Sequence, residues 1–144
     1  MESEISEFST LDSRVEAVDA AEESVRLFAQ EAGFEEEELY FIGLATREIL
    51  INAIKHGNRF DRHKKIGLRL SRDAGRVTIE VLDEGDGFRI DAVADPHLSE
   101  NRERRSGRGI TIALAIMDEF SVEKNVPHGT HIRMVKRRVP AKPG

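Results

Sequence analysis

Cysteine is absent from this 144-residue sequence, so a disulfide framework is excluded and nothing in the composition points to secretion. No apolar run approaches the length of a membrane span. The amino-terminal letters MESEISEF include neither the basic region nor the apolar region of a signal peptide. These absences lead us to expect a cytoplasmic protein without a membrane segment.

Two glycine motifs of nucleotide-binding proteins are missing as well. Neither GxGxxG nor GxxxxGK followed by Ser or Thr occurs in the chain, which argues against the Rossmann and P-loop folds. The sequence also contains no internal repeat. Apolar residues make up 39% of it and charged residues 34%, and this length suffices for one domain with a real hydrophobic core. We predict a single domain over residues 1–139 and a disordered tail over residues 140–144.

Charge is distributed unevenly along the chain, whose net charge is −5. Residues 1–48 contain 3 Lys and Arg against 14 Asp and Glu, whereas residues 101–144 contain 10 against 4. Such polarity can steer a charged protein partner or a polyanionic ligand, although two solvated faces explain it equally well. An acidic chain repels a phosphate backbone, so we expect no direct contact with nucleic acid.

Apolar residues recur at helical spacing in two segments between residues 15 and 57. Asp12 or Ser13 is placed to cap the first helix, and Gly33 to end it. The second helix follows Phe34 with four acidic residues, which suit the positive end of a helix dipole, and runs to Gly57. It is apolar on most sides, so we expect it to be largely buried.

Alternating apolar and polar residues predict the strands, and a third helix follows Ser106. The predicted strands cover a short edge segment around residues 5–8, a hairpin over 66–70 and 77–81, and a second pair over 120–123 and 130–136. The polar stretch between them reads as a long loop of the kind that often forms a functional lid. These elements predict an α+β fold, a two-layer sandwich in which helices cover one face of a mixed, mostly antiparallel sheet.

Glu48 and Asn52 lie one turn apart on the second predicted helix and therefore share a face. A polar row on a helix this apolar is costly unless it faces water, a partner or a ligand. The amide oxygen of Asn52 suits Mg²⁺, and the Glu48 carboxylate suits proton transfer from an attacking hydroxyl. The alternative is an ordinary solvated helix face.

Asp83 continues the alternation of Val77, Ile79 and Val81, so its side chain points into the same layer as these apolar residues. An inward carboxylate is an acceptor-only group, which suits the exocyclic amine of adenine. Gly85 and Gly87 follow it and allow a ligand to approach the backbone closely. A strand-ending aspartate in a plain glycine turn is the alternative.

A third block lies at the start of the last predicted helix. Ser106 is placed to cap it, and Gly107, Arg108 and Gly109 then leave free backbone N–H groups near a helix N-terminus, where phosphate binds readily. Arg105 adds positive charge nearby. The short pattern GRG is equally consistent with a plain helix start.

In this order the blocks resemble the GHKL superfamily of ATPases and kinases, which has the Bergerat nucleotide-binding fold, and within it the anti-sigma factor serine/threonine-protein kinases. The likeness covers nearly the whole chain. The matching segments are Glu48 to Asn58 for the N box, Asp83 to Phe88 for the first glycine box, Gly107 to Ile110 for the second, and Gly129-Thr130 for the GT pair.

The resemblance implies a single ATP-binding kinase domain that uses ATP and Mg²⁺. By this likeness Glu48 is the general base, Asn52 is the Mg²⁺ ligand and contacts the nucleotide, and Asp83 selects adenine. Residues 89–106 are the ATP lid. The other implied nucleotide contacts are Gly85, Gly87, Arg105, Gly107, Arg108, Gly109, Ile110 and Thr130.

The implied reaction is transfer of the γ-phosphoryl group of ATP to a serine of an anti-anti-sigma (STAS-type) protein, and the implied partners also include a sigma factor that the kinase sequesters. The resemblance further suggests a homodimer. Two alternatives stay open, a nucleotide-binding interaction switch without catalysis and the ATPase domain of a histidine kinase. The second alternative normally needs a phosphorylatable histidine on a dimerisation helix, and all five histidines fall outside the first predicted helix.

Overall fold

Three helices and five strands make up the described part of the chain. The structure is a computed structural model that describes residues 4–85, 107–124 and 128–138. The elements are β1 (Ile5–Asp12), α1 (Val18–Gln30), α2 (Glu36–Asn52), β2 (Lys65–Asp73), β3 (Arg76–Leu82), α3 (Gly107–Ile116), β4 (Glu119–Lys124) and β5 (Thr130–Arg137). The predicted lid over residues 89–106 and the predicted tail over residues 140–144 lie outside the described residues.

The five strands form one sheet in the order β1-β2-β3-β5-β4. All four strand pairs between the described residues are antiparallel. The last strand of the chain, β5, therefore lies between β3 and β4 and places Thr130 beside the end of β3. The α+β fold predicted from the sequence is confirmed, with a sheet more regular than the mixed one expected.

The hydrophobic core lies between the sheet and the helices. Alternation along β3 turns Val77, Ile79 and Val81 toward the helices, where each is at most 1% exposed. The helices contribute buried side chains at helical spacing, among them Val18, Val25 and Phe28 from α1 and Ile42, Ile49 and Leu50 from α2. The second helix is thus largely buried along this face, as its composition predicts.

The start of α1 differs from the prediction. A 3₁₀ turn over Val15–Ala17 precedes the helix, and the N-cap residue is Ala17, which makes no side-chain cap. Ser13 is buried instead, and its hydroxyl donates a hydrogen bond to the carbonyl of Lys64 at 2.5 Å. The helix ends before Gly33, whose φ of +96° is one that L side chains rarely adopt, as expected of a stop residue.

The second helix changes its hydrogen-bonding pattern after Asn52. Residues Ala53–Gly57 form a π turn, and the N–H of Asn58 donates to the carbonyl of Ala53 at 2.8 Å, five residues back. Single π turns inside helices are frequent at functional sites. Arg59 and Phe60 then take left-handed φ values of 52° and 60°, which end the helical path.

In the part of the chain that the structure describes, no helix combines the length and the apolar character needed to cross a membrane.

Candidate functional site

Asp83 lies directly after β3 and is 2% exposed. Its Oδ1 accepts hydrogen bonds from the N–H of Gly85 at 2.9 Å and from the N–H of Thr130 at 3.1 Å. Its own N–H donates to the carbonyl of Thr130 at 2.9 Å, so Thr130 holds both the backbone and the side chain of the aspartate. The inward direction predicted for this carboxylate is confirmed by its burial.

The buried environment of Asp83 disfavours the ionised form of its carboxyl group. Burial raises the pKa of the carboxyl above its ordinary value of 3.8, and the N–H groups of Gly85 and Thr130 and the charge of Lys64 act against this rise. Two backbone donors therefore compensate only part of the desolvation. A buried carboxylate that costs stability is typical of functional sites.

Three glycines bring backbone close to Asp83. A Cβ atom built on Gly57 would lie 2.4 Å from Asp83 Oδ2, and one built on Gly129 would lie 2.0 Å from the Asp83 carbonyl oxygen. A Cβ on Gly85 would lie 1.9 Å from the carbonyl oxygen of Gly57. Any other residue at Gly57 would displace the Asp83 side chain, and any other residue at Gly85 or Gly129 would require a shift of backbone. The end of α2 and the turn after β3 are therefore packed directly against each other.

Asn52 occupies the last residue of α2 and is 3% exposed. Its Nδ2 is buried and has no hydrogen-bond partner among the described residues. An unsatisfied buried polar group costs about 1–3 kcal/mol, so its presence needs an explanation. Glu48 lies one turn earlier in the same helix and is half-buried.

The third block is described in part. The described part of α3 starts at Gly107 and includes the backbone of Gly107, Arg108 and Gly109. Ile110 is 4% exposed and belongs to the hydrophobic core, so its side chain packs inward. Gly87 and Arg105 lie outside the described residues.

Sequence reasoning missed Asn58 as a separate contributor. Its side chain is 1% exposed and joins three segments of the chain through Ser13, Lys65 and Glu84. The only signal in the sequence was its place at the end of the N-box segment. Its partners lie as far as 45 residues away, so local pattern gave no indication of these contacts.

The described residues fit a nucleotide with its magnesium ion. A buried carboxylate lies at the end of a strand, glycine backbone surrounds it, and Asn52, whose buried Nδ2 has no partner among the described residues, lies about one and a half helical turns before Gly57. Among the described residues no group of three or more His, Cys, Asp or Glu side chains could hold a metal ion. Magnesium that enters with a nucleotide takes most of its ligands from phosphate and water, and an amide oxygen suffices as a protein ligand.

Comparison with known proteins identifies the family. The family model of the histidine kinase-like ATPase domain matches residues 11–136. The chain belongs to this family. That range takes in the described elements from the end of β1 to Lys136 in β5.

Three relatives of the chain share the name anti-sigma F factor. The chain is 35% identical over 105 residues to the anti-sigma F factor of Thermoanaerobacter sp. (strain X514). The aligned residues make up 69% of the chain and 71% of that protein. It is 33% identical over 116 residues to the anti-sigma F factor of Clostridium acetobutylicum, covering 79% of the chain and 80% of that protein. The anti-sigma F factor of Clostridium botulinum (strain Eklund 17B / Type B) is 33% identical over 103 residues, or 70% of the chain and 72% of the relative.

Proposed function

We propose that this chain is an ATP-dependent serine protein kinase that phosphorylates an anti-anti-sigma (STAS-type) protein and sequesters a sigma factor. The names of its relatives support the anti-sigma role. The structural observation that carries the proposal is the buried Nδ2 of Asn52, which has no partner among the described residues and belongs to a side chain one turn from Glu48. Within this proposal, residues 1–139 form one kinase domain in the cytoplasm, and two copies associate.

Asp83 is the group proposed to read the base. Its carboxylate is fixed by the N–H groups of Gly85 and Thr130 and offers only acceptors, which match the exocyclic amine of adenine. Guanine has a carbonyl oxygen at the corresponding position, which would face the carboxylate and repel it. The site therefore favours ATP over GTP.

Asn52 and Glu48 are proposed to act at the other end of the nucleotide. Magnesium, when bound through the Asn52 amide oxygen, neutralises charge on the phosphates. The Glu48 carboxylate takes the proton of the acceptor serine while the serine oxygen bonds to the γ-phosphorus. The bond from that phosphorus to the β,γ-bridging oxygen breaks, and ADP leaves with the electron pair.

Glu48→Gln tests the catalytic role. The amide keeps the size of the side chain but cannot accept the proton, so we expect phosphoryl transfer to a STAS-domain protein to fall by about 10²–10⁴-fold. Affinity for Mg·ATP should stay within about threefold, because Glu48 acts on the acceptor hydroxyl. Transfer is measured with γ-labelled ATP, and affinity by calorimetry.

Glu37→Gln is the matched control, since Glu37 is exposed in the first turn of the same helix and the substitution removes the same charge. It should transfer phosphate at the wild-type rate. A wild-type protein that binds Mg·ATP but phosphorylates no STAS-domain protein, with Glu48→Gln indistinguishable from it, would instead identify a nucleotide-binding switch. Loss of nucleotide binding in Glu48→Gln would assign the residue to binding rather than to proton transfer.

A further inference from the structure

The side chain of Asn58 uses both ends of its amide. Its Oδ1 accepts a hydrogen bond from the N–H of Glu84 at 2.7 Å, and its Nδ2 donates to Ser13 Oγ at 2.8 Å and to the carbonyl of Lys65 at 3.1 Å. The Ser13 hydroxyl then donates to the carbonyl of Lys64. Asn52 and Asn58 are both buried and six residues apart, yet Asn58 Nδ2 has two partners, whereas Asn52 Nδ2 has none among the described residues.

The acceptor end of Asn58 holds the turn that carries Asp83. The N–H of Glu84 belongs to the peptide group that directly follows Asp83, and the next N–H, that of Gly85, donates to the Asp83 carboxylate. The Glu84 side chain is tied to the same segment, because its Oε2 accepts the N–H of Lys65 at 2.5 Å. Backbone and side chain of Glu84 are thus both anchored to the segment that follows α2.

Asn58 is itself fixed relative to α2. Its N–H donates to the carbonyl of Ala53 in the π turn, and the preceding residue, Gly57, packs against Asp83 and Gly85. One residue therefore connects the helix that carries Glu48 and Asn52 with the turn that carries Asp83. The distance between the two ends of the nucleotide site depends on this connection.

We propose that Asn58 is a positioning residue that sets the direction of the Asp83 carboxylate relative to α2 and thereby determines the preference for adenine. The inference rests on the proposed function, because it assigns Asn58 to the base-reading end of the ATP site. A network that served stability alone would leave the preference between bases unchanged when broken.

Comparing Asn58→Ala with Ser13→Ala separates a role in positioning Asp83 from a role in stability alone. Both remove buried hydrogen bonds of one network, but only Asn58→Ala releases the N–H of Glu84. Calorimetry with Mg·ATP and Mg·GTP should show that Asn58→Ala weakens ATP binding by about tenfold or more, the loss of one buried hydrogen bond, with little change for GTP. Ser13→Ala should keep the wild-type ratio of the two affinities, even with a lower midpoint of thermal unfolding.

The wild-type result separates failure of this inference from failure of the proposed function. If the wild type binds neither nucleotide, the proposed function fails and the inference fails with it. If the wild type prefers ATP and Asn58→Ala keeps that preference, only the role of Asn58 is wrong.

A measurement on the wild-type protein covers the case in which Asn58→Ala does not fold. Hydrogen exchange followed by NMR should show a protected Glu84 amide, with slower exchange after ATP is added but not after GTP. A Glu84 amide that exchanges as fast as an exposed one, with or without nucleotide, overturns the inference.

Discussion

Asp83 opposes stability at the place where it is proposed to bind the nucleotide. Burial raises the pKa of the Asp83 carboxyl above 3.8, so the folded chain binds the carboxyl proton more tightly than the unfolded chain does. Stability rises with pH only where the unfolded state binds more protons, and here the folded state binds more. The contribution of Asp83 is therefore most favourable below pH 3.8 and is lost as the pH rises through the raised pKa.

We predict that Asp83→Asn keeps the free energy of unfolding at pH 7 equal to or above that of the wild type, while affinity for ATP falls by about tenfold or more. The amide retains an acceptor for the N–H groups of Gly85 and Thr130 and carries no buried charge. It also presents a donor toward the adenine amine, which cannot accept it. Urea unfolding from pH 4 to pH 7 and calorimetry with Mg·ATP measure the two effects.

Glu123→Gln is the control, because Glu123 is exposed on β4 and the substitution removes a charge of the same sign. It should leave ATP affinity unchanged. A large loss of stability at pH 7 in Asp83→Asn would mean that the ionised carboxylate is bound more strongly than its burial costs. Unchanged ATP affinity would show that Asp83 does not read the base.

At the scale of elements, the junction between α2 and the turn after β3 determines the site. The π turn over Ala53–Gly57 widens the end of the helix, and Gly57 meets Asp83 where a side chain has no room. The neighbouring residue Asn58 then binds the turn from the other direction. Helix and turn therefore cannot move independently of each other.

We predict that Gly57→Ala lowers the free energy of unfolding by about 1–3 kcal/mol, the usual cost of forcing an extra methyl group into a packed position. The added Cβ would lie 2.4 Å from Asp83 Oδ2 and 3.0 Å from Asp83 Cβ, so the carboxylate must move. ATP affinity should fall together with stability. Denaturant unfolding and calorimetry measure both quantities.

Gly67→Ala is the matched control in the sheet. Its nearest contact would be Cζ of Phe8 at 3.0 Å, the tip of a ring that belongs to a 56% exposed side chain and can turn away. We expect a change within about 0.5 kcal/mol and normal ATP affinity. A Gly57→Ala protein as stable and as active as Gly67→Ala would disprove the close packing of the junction.

The sequence predicted those elements whose signal is local. Alternation gave β2, β3 and β5, and it gave the inward direction of Asp83, because phase along a strand fixes the side of the sheet. The i, i+4 spacing placed Glu48 and Asn52 on one helix face. Their catalytic and binding roles stay predictions, as do those of the glycines and arginines of the other blocks.

Features that depend on distant partners could not be predicted in the same way. Ser13 reads as a helix cap from its neighbours, but its hydroxyl contacts Lys64 and Asn58, which are 51 and 45 residues away. The π turn depends on how α2 meets the turn after β3, which no local pattern encodes. The order of the strands also stayed open, since alternation identifies a strand without naming its neighbours.

At the scale of the whole molecule, the last strand of the chain is an interior strand of the sheet. The strand β5 pairs with β3 on one side and with β4 on the other. Among the described strands, β4 has no other partner, and Asp83 receives a hydrogen bond from Thr130 at the start of β5. Both the sheet and the proposed site therefore depend on residues near the carboxyl end.

We predict that a chain ending at Lys124 shows no cooperative thermal unfolding, because removing β5 leaves β4 unpaired, opens one edge of β3 and uncovers part of the core. A chain ending at Arg138 should unfold at the wild-type temperature, which also tests the expected disorder of residues 140–144. Circular dichroism followed during heating distinguishes the two. A cooperative transition in the shorter chain would contradict this account of the sheet.

This position of β5 also affects how the protein is made. On the ribosome, β1, β2 and β3 emerge first and can pair with one another, but the position beside β3 stays empty until β5 has been translated. Until then the nascent chain lacks the backbone donor that Thr130 supplies to Asp83. The proposed base-reading end of the site is therefore incomplete in any nascent chain that stops before β5.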